Sequence, residues 1–190
     1  MIARRLVCML CILCITVWIA LVATTGIAAA TAFTVIPGLT PTIPEYLAYD
    51  QLQHGRLLAG LTVEPIFQVT DVAQWILAPA SLLLVLLWNS LMRPPVVLKW
   101  INVSTIVIAI VLVACRWTII DPPMNNHLES YRDAARSGDL EQAAAQLKSF
   151  TALHEIAEPM WGATGFMLLI GLASLGASTP SDRTVRGGSR

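Results

Sequence analysis

Apolar residues run along this chain in four long blocks with polar or Pro- and Gly-rich segments between them. Leu6 to Val35 contains no charged residue, and Ile66 to Met92 contains one, Asp71. Val96 to Ile120 carries Lys99 near its start and Arg116 near its end, and Pro159 to Ser178 carries none. A helix that crosses a bilayer needs about 20 mostly apolar residues, and each block meets that length. The pattern predicts an all-α integral membrane bundle of four transmembrane helices, near 6–35, 66–92, 96–120 and 158–178. These form one membrane domain over 1–178, followed by a tail, 179–190, expected to be disordered and cytoplasmic.

The polar segments carry their own periodicity. From Tyr46 to Leu61, the residues Leu47, Leu52, Leu57, Leu58 and Leu61 recur at near-helical spacing. From Ser130 to His154, the residues Ala134, Leu140, Ala144, Leu147, Phe150 and Leu153 do the same, with Gly138 and Asp139 as a break or cap. Both read as amphipathic extracytoplasmic helices lying over the outer end of the bundle. Pro65 and Pro159 are expected to mark helix starts, and Pro79 to kink helix two.

Composition narrows the class further. Hydrophobic residues make up 56% and charged residues 13%, about half the usual share for a soluble protein. Disorder, collagen and a soluble nucleic-acid binder are excluded on those values, so the bilayer is the expected partner and nucleic acid is not. A membrane-protein partner or a homo-oligomer stays open. Basic residues orient the helices. Arg4, Arg5, Arg93, Lys99, Arg183, Arg186 and Arg190 share one end with a single acid, Asp182. By the positive-inside rule both termini are cytoplasmic, and loops 36–65 and 121–157 are extracytoplasmic, in a plasma (inner) membrane. Trp88 and Trp100 would then sit at the inner interface, Trp117 and Trp161 at the outer one. Arg4-Arg5, the apolar run and Ala28-Ala29-Ala30 resemble a signal peptide, but that run exceeds the usual 7–15 residues and is expected to stay as a helix.

Candidate chemistry gathers in one layer. At about 1.5 Å rise per residue, Asp71 lies about 31 Å, Arg116 about 25 Å and Glu158 about 30 Å above the inner boundary, with Thr24 and Thr25 at similar depth. Charges so deep pair or mark a site, and an Asp71–Arg116 ion pair is the simplest expectation. In His154-Glu155-Ile156-Ala157-Glu158 the positions i and i+4 put His154 and Glu158 on one face, half of an H-E-x-x-H metal pattern. No metal or cofactor is assigned. A metal would draw a third ligand from His54, Glu64, Asp71 or His127. The competing reading is that these acids, with Pro159, cap a helix start. A convergent outer site would comprise His154, Glu158, Asp71, Arg116 and His54.

Cys8, Cys11 and Cys14 form two overlapping C-x-x-C patterns in an apolar run, where thiolates are disfavoured, so they read as small packing residues. Cys115 stands at the opposite end of its helix. Asn102-Val103-Ser104 matches the glycosylation pattern but falls on the inner side. Gly162, Gly165, Gly171 and Gly176, with the small residues of helix one, read as close helix-packing positions.

Three short pieces carry a family resemblance: Phe33-x-x-x-Pro37; Arg56-x-x-Ala59-Gly60 with Ile66-Phe67; and Pro122-x-Met124 leading to Phe150-x-x-Leu153-His154. Over most of 18–175 the chain resembles the bacterial membrane proteins grouped as domain of unknown function 4149, which are similar to transmembrane protein 205. The resemblance implies a four-helix membrane domain with Pro37 and His154 as recurrent positions, and supplies no established activity. The acidic loop before His154 is longer than that pattern. Pro122-Pro123-Met124-Asn125-Asn126 is also similar to the P-x-N region of anthrone oxygenase-like membrane proteins, some of them cofactor-free oxygenases, although Trp161 here is followed by Gly165 and no Arg. The leading expectation is a multi-pass membrane protein with a small polar site near the outer face. The alternatives are a cofactor-free or metal-dependent oxidase or oxygenase acting on a hydrophobic substrate, and an accessory subunit or small transporter.

Overall fold

The computed structural model describes residues 2–178, and the tail 179–190 with its three arginines lies outside the described residues. Every regular element among the described residues is helical. Helix α1 spans Ile2–Val35, α2 Gln51–Met92, α3 Val96–Cys115, α4 Asp121–Ser137 and α5 Leu140–Ala177. A π turn, Arg116–Ile120, joins α3 to α4, so that Val96–Ser137 runs as one rod of 42 residues. Four rods are long and apolar enough to cross a membrane, which makes the chain an all-α membrane bundle.

The rods alternate in direction, α1 up, α2 down, α3–α4 up and α5 down. The lower end is fixed by two bonds. Arg4 donates to the Leu91 carbonyl at 2.7 Å, and the Trp88 indole N–H donates to Ser178 Oγ at 3.0 Å. Both described ends of the chain therefore lie at one end of the bundle. The α2–α3 reversal there is tight: Arg93 takes a left-handed conformation that returns its N–H to Asn89, and Pro94-Pro95 follow.

Only 22–28% of each rod's most apolar window is buried. Ile76, Leu83, Val97 and Leu169 point outward, while Gln74, Asn89, Asn102, Thr105, Arg116 and Asp121 are buried. In water that distribution would be costly; in lipid it is the expected one, because an apolar surface needs no burial there and interior polar groups bond one another.

At about 1.5 Å per residue, a 42-residue helix reaches about 63 Å, twice a hydrocarbon core of about 30 Å. The first turns of α2 and α5, and all of α4, therefore project as a cap. This corrects the expected helix starts. Pro65 lies inside α2 and Pro159 inside α5, so neither begins a helix. A proline within a helix frees the carbonyl four residues earlier, a cost that the packing of continuous rods overrides. The expected break at Gly138–Asp139 is present: Gly138 closes α4 at φ 77°, and the Asp139 carboxylate accepts from the Gln142 N–H. The cap core is Tyr46, Leu57, Tyr131, Ala134, Ala135 and Ala143. Of the residues in these two repeats, Leu47, Leu52 and Leu140 are exposed, and on α5 Ala143 rather than Ala144 enters the cap core. Of the four tryptophans near the rod ends, Trp88 is buried and Trp161 half-buried, whereas Trp100 and Trp117 are exposed.

Candidate functional site

The expected ion pair is present and larger than a pair. Arg116 Nη2 donates to Asp71 Oδ1, and Arg116 Nη1 lies 3.2 Å from Asp121 Oδ2. The guanidinium lies over the Trp161 ring, 4.8 Å from its centroid. Trp161 is itself held by its indole N–H, which donates to the Val22 carbonyl at 3.0 Å. Gln74 Nε2 donates to Asp71 Oδ1 at 3.3 Å and Gln74 Oε1 accepts from the Trp18 indole at 3.2 Å. One turn outward, the Thr25 and Thr70 hydroxyls bond at 2.7 Å. Residues from all four rods thus close one polar layer.

Asp121 enters this layer because of the π turn. In an α-helix of 3.6 residues per turn, positions five apart lie about 140° apart around the axis. In the π turn the Asp121 N–H bonds the Arg116 carbonyl five residues back, which stacks the two positions. Pro122 and Pro123 follow directly and lack N–H groups, so the regular ladder is already broken at this point. That Pro-Pro pair, close behind an intramembrane arginine, was the available signal for the third member. Asp121 is 6% exposed, and its Oδ1 is buried without a hydrogen-bond partner.

The other expected residues do not join. His154 is exposed and stacks on Phe150 at 5.6 Å, and Glu158 is exposed. His54 is fully buried with both ring nitrogens used: Nδ1 accepts the Ile43 N–H at 3.1 Å, and Nε2–H donates to the Tyr46 carbonyl at 2.8 Å. It clasps the loop between α1 and α2. Of the further ligand candidates, Glu64 pairs with Arg132 at 2.8 Å and His127 bonds Gln146 at 2.7 Å. Among the described residues no group of three His, Cys, Asp or Glu is placed to hold a metal. The helix-capping reading of His154 to Glu158 also has no basis, since α5 passes through them unbroken.

A second network lies toward the lower end. Asn102 Nδ2 donates to Asn89 Oδ1 at 3.0 Å, Ser174 donates to Asn102 Oδ1 at 2.5 Å, and Asn89 donates to the Lys99 carbonyl at 3.2 Å. Asn102 is therefore a buried tie between α2, α3 and α5. Cys11 is buried in the core, and Cys14 Sγ lies 3.3 Å from Ser81 Oγ; all four cysteines are free. Gly171 lets Thr105 approach, and Gly165 packs on Val22, whereas Gly162 faces open space. Compared with protein-family models, with curated proteins and with solved structures, the chain finds no match in any of the three.

Proposed function

We propose that the chain is a multi-pass plasma-membrane protein with cytoplasmic termini, working through a cation-accepting polar layer, Asp71–Arg116–Asp121, beneath an extracytoplasmic cap. The observation that carries this reading is the charge of the layer. Two carboxylates, Asp121 buried and Asp71 half-buried, share one guanidinium, and the buried Asp121 Oδ1 has no partner. A buried net negative charge is costly and is relieved by a bound cation. The orientation is supported by Arg4, Arg5, Arg93 and Lys99, which gather close to the rod ends at one side of the bundle. The likeness to domain of unknown function 4149 belongs to the same proposal. The oxygenase alternative needs an enclosed pocket joining His154, Glu158 and Asp71. The α1–α2 groove, of about 350 Å³, is lined by Leu21, Thr24, Pro65 and their neighbours and includes none of the three.

Two experiments test the reading. Reporter fusions should give a cytoplasmic signal at Arg190 and a periplasmic one within 130–145. Thermal melting of the purified protein should respond to acid or to Na⁺ or Ca²⁺, and Asp121→Asn should abolish the response. Melting indifferent to every cation, protons included, would end the cation-accepting reading.

A further inference from the structure

The charge excess can be located on one atom. Asp71 Oδ1 accepts from two donors, Arg116 and Gln74. Asp121 has a single contact at 3.2 Å, through Oδ2, and its Oδ1 is buried and bare. Among the described residues no other charge pairs with the layer. From α1 it meets Trp18, through Gln74, and the Val22 carbonyl, through Trp161, neither of them titratable. From α5 it meets the Trp161 ring, while Glu158, three residues earlier, is exposed. On α2 the next charge outward, Glu64, is paired with Arg132 of α4, while on α4 itself His127 bonds Gln146 and Glu129 is exposed.

We propose, resting on the reading above, that the cation is a proton and that Asp121 is the group that holds it, on Oδ1. Loading converts the Asp121 carboxylate to the neutral acid by forming one O–H bond with a proton taken from water at the outer side. Asp71 stays ionised and paired with Arg116, so the loaded layer is neutral. Release returns the proton to water and leaves two carboxylates competing for Arg116 across the π turn. The layer is thus a one-proton site whose occupancy sets the charge at the joint between the membrane rods and the cap.

The test is infrared spectroscopy of the full chain in phosphatidylcholine vesicles across a pH series. A protonated carboxylic acid gives a carbonyl stretch separate from the carboxylate bands and shifts it in heavy water. The expected result is one such band near neutral pH, lost in Asp121→Asn and unchanged in Glu158→Gln. Asp71→Asn supplies the decisive variant. With Asp71 neutral, Arg116 and Asp121 balance one to one, so Asp121 should give up its proton and the band should move at least tenfold lower in proton affinity. A band that survives Asp121→Asn, or one unmoved by Asp71→Asn in folded protein, overturns the proposal. So does the absence of any band when Na⁺ or Ca²⁺ raises the melting temperature of wild type but not of Asp121→Asn; that outcome leaves the cation-accepting layer standing with a metal ion as its occupant. Reporters that reverse the topology would remove the outer placement and leave the proton assignment intact.

Discussion

Arg116 differs from its two partners in what its loss leaves behind. Arg116→Gln removes the one cation from the half-buried Asp71 and the buried Asp121, a change in the class that costs about 3–5 kcal/mol. Asp121→Asn or Asp71→Asn leaves one carboxylate on one guanidinium, so each should cost less than about half of that, and the Asp71→Asn, Asp121→Asn double change should be far worse than the sum of its parts. Additive losses in detergent melting would mean that the three groups do not share charge. His54 is the other residue with a determinate role. His54→Ala leaves the half-buried Ile43 N–H without an acceptor and the Tyr46 carbonyl without its buried donor, and melting should report a loss of about 1–3 kcal/mol. Tyr46 offers the opposite case: its buried hydroxyl has no partner, so Tyr46→Phe should be neutral or stabilising.

At the scale of elements, two close approaches decide how the rods and the loop seat. A Cβ on Gly55 would fall on the Pro37 Cα, nearer than real Cβ contacts come, and backbone cannot step aside as a side-chain tip can. Gly55→Ala should therefore lift the 36–50 loop from α2, at a cost of about 1–3 kcal/mol or more, read as faster proteolysis of that loop. Gly171→Ala meets Thr105 Oγ1 at 3.0 Å and Ile106 at 3.5 Å; these are side-chain atoms that can give by a few tenths of an ångström, so the loss should be smaller than at Gly55. The continuous α2 and α5 show why Pro65 and Pro159 misled as start signals. A proline at the first turn and a proline deep in a rod look alike in sequence, and only packing on both sides of it tells them apart.

At the scale of the molecule, the cap and the bundle are separate apolar cores on shared rods. Tyr131 sits in the cap core, edge-on to Tyr49 at 5.9 Å, and burial pushes its phenol well above the ordinary value, with the Tyr49 hydroxyl adding to the rise. The sign follows from linkage: a group held protonated by the fold contributes stability that is complete below the ordinary tyrosine value of about 10 and is lost as pH climbs beyond it. Alkaline solution should therefore open the cap. Tyr131→Phe should flatten that dependence in a pH series of melting curves; an unchanged alkaline limb would remove Tyr131 as its source.

What the sequence determined by itself is the set of properties that follow from long-range averages. Four apolar blocks with few charges can be satisfied only by four helices in lipid, since every backbone polar group must bond within its own segment. The Gly138–Asp139 break is local turn chemistry, and the Asp71–Arg116 pair follows from matched depths on neighbouring rods. What the tertiary structure alone decided is which polar groups meet. Whether His54 faces a site or a loop, and whether His154 points inward, depends on the rotation of each rod about its axis, which a mostly apolar helix leaves undetermined by pattern. Asp121 lay just beyond the apolar block and read as the first residue of a loop; a π turn carried it back beneath the cap, because two prolines broke the ladder where an arginine was waiting for a second carboxylate.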